Sequence, residues 1–530
     1  MQFHVRWRRV VGVLALGLLV LGVTAQLTAA QSQDDQTVRI GLAAGDIGRL
    51  DPHVTSLAQD YPALESIFNG LVRFKPDRVS FVDVEPDLAT SWEVSDDGLK
   101  WVFHLREGVQ WHRGYGEVTS EDVVYSFHRA MDPAISSWVN EYTNLAQVEA
   151  LDRYTVRMVL NEVDPYWLGK VANYHGGFIV CKAAVEELSN AAYALNPIGS
   201  GPFMFDNYLS KTSLTLVANK DYFRGEPLVS ALEFDYMPDP TSRRAAFVQG
   251  FLDTMDGEWD QIWLDEVVEA SDGILDLIAP PRFVLLTFNM NMSPLDDIRV
   301  RTALALAIDR TLLSVYFGEG ISAPLYSPVP MSYFGGTEDV NRLEYDVDTA
   351  RGFLRDAGYA NGFDLSMFIS ERSDYVETME IIQAMWAEIG VNLELKVVDH
   401  TAYHSRIRED ENPVVLYSCS RKPTADEPLT QFFHSTSIIG TETAVTNFSH
   451  FSDPEVDAAI EEARVTLDPQ RQLELYALAQ QKIMDAVAAK PLITIFTPVL
   501  RHEYVQFGYE PGSSMTYNYH FDETVRILEH

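Results

Sequence analysis

Residues Glu85–Trp111 read Glu-Pro-Asp-Leu-Ala-Thr-Ser-Trp-Glu-Val-Ser-Asp-Asp-Gly-Leu-Lys-Trp-Val-Phe-His-Leu-Arg-Glu-Gly-Val-Gln-Trp. The acidic turn Ser95-Asp96-Asp97-Gly98 is flanked by strand-forming residues, and after it Trp101, Phe103 and Leu105 alternate with more polar neighbours. A turn of Asp and Gly between alternating apolar runs predicts a hairpin with one buried face. Alternation alone says only that much. The order Pro-x-Leu-Ala-x-x-Trp, acidic-Gly turn, aromatic strand, Leu-Arg-x-Gly-Val-x-Trp is a longer and more specific string.

Three further stretches lie downstream or upstream of it in a fixed order. Leu50-Asp51-Pro52-His53 is a turn leading into a helical pattern over 61–71. Asn196-Pro197-Ile198-Gly199-Ser200-Gly201-Pro202-Phe203 enforces a rigid turn into a strand over 203–208. Phe288-Asn289-Met290-Asn291 is followed by Pro294-Leu295-Asp296-Asp297-Ile298-Arg299-Val300-Arg301-Thr302-Ala303-Leu304 and Asp309-Arg310. Asp296 or Asp297 is placed to cap the next helix, whose Val300, Ala303, Leu304, Ala307, Ile308 and Leu312 predict one buried face.

Together the four strings resemble the family 5 extracellular solute-binding proteins, the binding components of ABC importers for peptides, nickel and some oligosaccharides. The resemblance implies an α/β, two-lobed periplasmic binding protein fold, with a hinge of two crossing strands and an extra inserted domain. It implies a discontinuous first lobe over 31–75, 196–285 and 495–530, an inserted domain over 76–195, and a second lobe over 286–494. A strand over 363–370, a helix over 375–389 and a strand over 391–398 form a unit that requires parallel pairing. Helices over 453–467 and 469–489 precede a late strand over 492–496. A chain of 530 residues is in any case too long for one core.

Arg6, Arg8 and Arg9 precede an apolar run over 10–23 and small residues before Ala30, the pattern of a cleaved secretory signal. The run is shorter than the ~20 residues that span a bilayer. The expected location is the periplasm, with no membrane insertion after cleavage. Removing residues 1–30 moves the formal charge from −37 to −40, because the segment holds three arginines and no acid. Such a surface excludes nucleic acid as a partner. Cys181 and Cys419, far apart in the chain, are read as separate buried thiols.

The sequence holds no nucleophile elbow, His-Glu-x-x-His, phosphate loop or paired Cys-x-x-Cys, so the expectation is a non-enzyme without cofactor. His400 and His404 have metal-chelating spacing on a helix, but a solvated or partly packed face is the simpler reading, and no metal is expected. Peptide-binding members of the family carry Gly-Trp-x-Ala-Asp-Tyr-x-Asp/Glu-Pro, whose aspartate pairs with the ligand's ammonium. Anchored on Glu427-Pro428, the tryptophan position is Arg421 and the aspartate position Thr424; a two-residue slide lets Asp426 serve instead.

In the first lobe the resemblance points to the loop after Leu252-Asp253, where Asp256 and Glu258 offer negative charge and Trp259 a cover for the ligand. Asn289, Tyr417 and Ser56, which stands where some peptide binders have glutamate, complete the candidate set. With Arg421 facing Asp256 or Glu258, a zwitterion would bridge the lobes. The expected ligand is therefore a short peptide or amino-acid-derived solute, delivered to an ABC permease by a monomer. An oligosaccharide, opine or nickel chelate remains the alternative within the family, and a secreted hydrolase the alternative outside it.

Overall fold

The computed structural model describes residues 36–420, 422–440 and 446–529. The segment read as a secretory signal and Arg421 therefore lie outside the described residues. The principal sheet has nine strands. From one edge they run Val414–Cys419, Ile274–Phe288, Ala489–Arg501, Thr254–Asp256, Thr37–Leu42, Ala231–Tyr236, Ser213–Ala218 and Phe203–Leu209, with Ser322–Pro324 paired beside Ala489–Arg501. The opening strand Thr37–Leu42 lies parallel to both of its neighbours. Residues separated by two hundred positions thus share one hydrogen-bonded layer.

Ile274–Phe288 and Ala489–Arg501 are antiparallel and much longer than the rest. Ile278 and Val499 belong to the first hydrophobic core, with Val38, Phe103 and Tyr519. Leu286, Phe288, Leu492 and Ile493 belong to a second, with Trp386 and Tyr403. The two strands therefore carry the chain between cores. The register between them shifts from Ile278 to Arg282, where Pro280 and Pro281 have no N–H to donate.

The hairpin read from Glu85–Trp111 is present as strands Ala89–Val94 and Lys100–Leu105 in a four-stranded antiparallel sheet. Trp101, Phe103 and Leu105 are buried as the alternation requires. Gly98 turns at φ +71°, and the Ser95 Oγ accepts from the Lys100 N–H at 2.9 Å. Asp87 is buried and accepts from Asn69 Nδ2 at 3.0 Å and the Gly70 N–H at 3.1 Å.

The Gly199-Ser200-Gly201 turn has a packing cause. A Cβ on Gly199 would lie 1.9 Å from the Ile67 carbonyl oxygen, and one on Gly201 2.5 Å from that of Ser66. The turn passes against the end of helix Tyr61–Ile67, and the Gly201 N–H donates to Ile67 O at 2.8 Å.

Strand Phe363–Ser370 pairs parallel with Val391–Val398 around helix Ser373–Glu388, as the strand–helix–strand pattern requires. The single helix expected through Leu312 is two. Asp297 caps Ile298–Leu306, and Asp309 then caps Arg310–Phe317 through the Thr311 and Leu312 N–H groups. The restart changes the phase: Leu313 is buried and Leu312 is exposed. The late strand is also longer than the apolar run 492–496, because Lys490 is buried with its Nζ donating to Leu343 O at 2.6 Å.

Cys181 lies in the first core and Cys419 in a third, with Phe283 and Phe432, and they are not bonded to one another. Among the described residues no helix is long and apolar enough to cross a membrane.

The Leu50-Asp51-Pro52-His53 turn is a buried junction. Arg129, on helix Ser120–Ala130, grips Asp51 through Nη1–Oδ1 at 2.9 Å and Nη2–Oδ2 at 2.5 Å, both side chains being 2% exposed or less. Burial and then the Arg129 charge push the neighbouring His53 down to about 4, so its imidazole is neutral. Removing one partner strands the other charge. Arg129→Ala is expected to cost about 3–5 kcal/mol in urea unfolding, and the combined Arg129→Met, Asp51→Leu variant to recover much of that loss.

At the C-terminal end His520 Nδ1 lies 2.9 Å from Glu65 Oε2, with Asp522 beyond. Burial alone lowers the imidazole pKa, but the Glu65 charge and hydrogen bond, then Asp522, raise it to about 8. A raised folded pKa gives stability that is full below the unfolded value of ~6.5 and lost as pH climbs through 8. The urea midpoint is expected to fall between pH 6.5 and 9 by the equivalent of about 2 kcal/mol. Glu65→Gln should flatten that slope.

Candidate functional site

A cavity of about 1210 Å³ lies along the two long strands, between the cores. One wall comes from Ala58, from Trp259, Asp260, Gln261 and Ile262, and from Tyr517. The facing wall comes from Val315, Tyr316 and Phe317, from Arg372, Ser373, Asp374 and Glu377, and from Ser420. Arg282, Ile495 and Thr497 of the long strands contribute between the two. Concave sites of this size, mostly apolar with a few convergent polar groups, are where small ligands bind.

The polar end is organised around Asp374. Its carboxylate accepts from Arg372 Nε and Nη2 at 3.0 and 2.9 Å, and from Arg282 Nη1 at 3.0 Å. Burial raises the Asp374 pKa, but the Arg372 hydrogen bonds and the Arg282 charge outweigh it and hold the group below the usual carboxylate range. Arg372 also lies over the Tyr375 ring, 5.5 Å from its centroid. Two guanidinium groups on one carboxylate leave positive charge and planar donor edges for a ligand carboxylate. Acids are present as well. Asp260 caps helix Gln261–Ser271, accepting from the Trp263 N–H at 3.0 Å, and Glu377 faces the Tyr316 hydroxyl.

The residues singled out from the sequence fall in several places. Trp259 lines the cleft, and its Nε1 donates to Phe496 O at 3.1 Å, which ties it to the long strand. Ser56 is exposed on the loop just before Ala58. Asp256 is one residue of the principal sheet, accepting from the Ala43 N–H at 2.8 Å and Asn518 Nδ2 at 2.7 Å. Glu258 is ion-paired with the fully buried Arg243, which also donates to the carbonyls of Met237 and Asp256. Both carboxylates thus have partners within the fold, and the acids that line the cleft are Asp260, Asp374 and Glu377.

Asn289 is buried at the end of its strand, donating to Asp410 Oδ1 at 2.7 Å. Tyr417 is half-buried among His404, Phe432 and Phe448. Neither lines the cleft. Thr424 and Asp426 line a separate cavity of about 450 Å³, against Asp164, Tyr166 and Lys170. Asp426 there accepts from Arg464 Nε at 3.1 Å. His400 and His404 do share a face of helix His400–Arg408, their Nε2 atoms 3.2 Å apart, with Ser370 Oγ on His400 Nδ1 at 2.9 Å. No group of three or more metal-ligating side chains occurs among the described residues.

Arg282, Arg372, Asp374 and Glu377 were not singled out from the sequence. Two signals point to them. Arg282 interrupts an apolar strand directly after two prolines. Arg372 to Asp374 follow the carboxyl end of a parallel strand, the place where α/β folds bind ligands.

A cleft of this kind between two cores joined by a pair of long strands defines a two-lobed binding protein. The model for bacterial extracellular solute-binding proteins, family 5, matches residues 83–440, and the chain belongs to that family. It is 28% identical to heme-binding protein A of Haemophilus influenzae, over 86% of either chain. Likewise it is 28% identical to the dipeptide-binding protein of Escherichia coli, over 91% of this chain and 94% of that one. The structure of MoaA from A. tumefaciens R10, in complex with mannopinic acid, superposes with a TM-score of 0.73 at 36% identity, over 93% of this chain and 100% of that one.

The geometry separates structural from ligand-facing carboxylates. Asp256→Ala would orphan the Ala43 N–H and the Asn518 amide, and is expected to cost about 1–3 kcal/mol of stability. Any ligand that the folded protein binds in the cleft should keep its affinity in this variant, as titration calorimetry can check.

Proposed function

We propose that the protein captures a zwitterionic short peptide or amino-acid-derived solute between its lobes and hands it to the permease of an ABC importer. The observation that carries this reading is the Arg282–Asp374–Arg372 array inside a cleft that also presents Asp260 and Glu377. Guanidinium donors suit a carboxylate, and Asp260 or Glu377 an ammonium. The dipeptide-binding relative supports the peptide form of this ligand, and the mannopinic acid complex of MoaA favours an opine as the second form.

Contacts from both walls stabilise the closed arrangement, and the permease reads that arrangement. The lobes divide as 31–75 with 196–285 and 495–530 against 286–494, with 76–195 inserted. The protein works as a monomer in the periplasm after loss of residues 1–30, and no bond is made or broken in the ligand.

A thermal-shift screen of residues 31–530 against dipeptides, tripeptides, opines, oligosaccharides and nickel chelates tests this, because a ligand of the native state alone raises the melting temperature. Zwitterionic compounds are expected to raise it. Arg372→Ala should weaken them by about 1.5–3 kcal/mol, the scale of a hydrogen bond to a charged group. A shift with neutral oligosaccharides alone would overturn the reading.

A further inference from the structure

The cleft also has large apolar lining groups, and they stand open. Trp259 is 58% exposed, Ile262 73%, Val315 47% and Tyr316 54%. A single exposed leucine or tyrosine is ordinary on a protein surface. Four large apolar side chains from two separate segments, all lining one concavity, are not, and a contiguous apolar patch in a groove marks a binding surface.

The patch is also built to be rigid. Helix Gln261–Ser271 starts at the Asp260 cap, and Gln261 Oε1 accepts from the Gly320 N–H at 2.9 Å, just past helix Arg310–Phe317. A Cβ on Gly320 would meet that amide oxygen at 2.6 Å, so the two segments touch where glycine allows it. Trp259 is pinned to the long strand through Phe496 O. Gln261 thus bridges the two sides of the cleft, so the apolar groups are placed before a ligand arrives, which lowers the ordering cost of binding.

We infer that the solute carries a bulky apolar or aromatic side chain, which lies on Trp259, Ile262, Val315 and Tyr316 while its carboxylate meets Arg282 and Arg372. This rests on the reading of the cleft as a solute site and narrows it to peptides of large apolar residues, as against polyhydroxylated conjugates. The cleft, at about 1210 Å³, has room for both ends of such a ligand at once. Bulky side chains add affinity in proportion to the apolar area they cover, and the indole and phenol rings offer faces for an aromatic group.

Titration calorimetry on residues 31–530 with Leu-Phe, Gly-Gly and mannopinic acid tests the inference. Leu-Phe is expected to bind at least tenfold more tightly than either of the others. Trp259→Ala and Tyr316→Ala should each weaken Leu-Phe about tenfold and leave Gly-Gly unchanged, whereas Trp259→Phe should retain most of the affinity. Circular dichroism and the unfolding midpoint of each variant separate lost binding from lost fold.

Equal affinity for Leu-Phe and Gly-Gly, or tighter binding of mannopinic acid than of Leu-Phe, overturns this inference and leaves zwitterion capture standing. So does unchanged Leu-Phe affinity in both alanine variants, which would assign the apolar wall to contact with another protein. Absence of binding by all three compounds overturns both the inference and the proposed function.

Discussion

Among the described residues, two strands of fifteen and thirteen residues are the ones long enough to serve both lobes, and the rest of the molecule is arranged around that fact. A β-strand rises about 3.3 Å per residue, so elements of this length reach from one hydrophobic core into the next. Their ladder shifts register between Val284 and Leu285 and is interrupted between Ile278 and Arg282, where two prolines withhold their N–H groups. The break falls between the cores, where the strand is no longer committed to either. It is also where Arg282 sits, the strand's cation, and from there it reaches Asp374. One local feature thus gives a place where the ladder can give and a ligand-facing cation beside it.

The acidic residues divide by what their arginine partners are doing. Asp51 and Glu258 each meet a guanidinium that is fully or almost fully buried, so losing the carboxylate leaves a buried cation without its partner, although the Glu258 side chain itself is 34% exposed. Asp374 meets two arginines that remain partly exposed in a cavity. Its pairs sit where solvent and solute have access, and a carboxylate arriving there adds to an existing array of donors without creating a new buried charge. Partner burial is what separates a fold-holding carboxylate from one at a binding surface.

Much of the fold was legible because it rests on local rules. The Ser95–Gly98 turn, the alternation through Leu105 and the cap at Asp297 are decided by neighbours a few residues apart, and the structure has them. The phase change after Asp309 was not read, because helical spacing carried on past it while the cap restarted the turn. The site was much less legible. Asp256 and Glu258 have the composition of a ligand loop, but Asn518 and Arg243, which occupy them, come from other parts of the chain. Asp374 looks like one acid among 77 until Arg282, ninety-two positions away, is brought beside it by the sheet. Trp259, which lines the cleft, was singled out through the family resemblance of the loop after Leu252-Asp253, without reference to any distant partner.

The overall charge then bears on which ligands the array can collect. A chain with formal charge −37 repels anions at long range, and a pair of arginines inside the cleft acts only over short distances. A dianionic solute would meet the repulsion before it met Arg282 and Arg372. A zwitterion has no net charge to be repelled, and its carboxylate is felt only once it is within the cavity, where screening by salt is weak. An apolar side chain is indifferent to the field altogether and gains on entering. On the proposed reading, the acidic surface and the cationic array are therefore not in conflict: the first would filter by net charge, and the second would select, among neutral molecules, those with a carboxylate to offer.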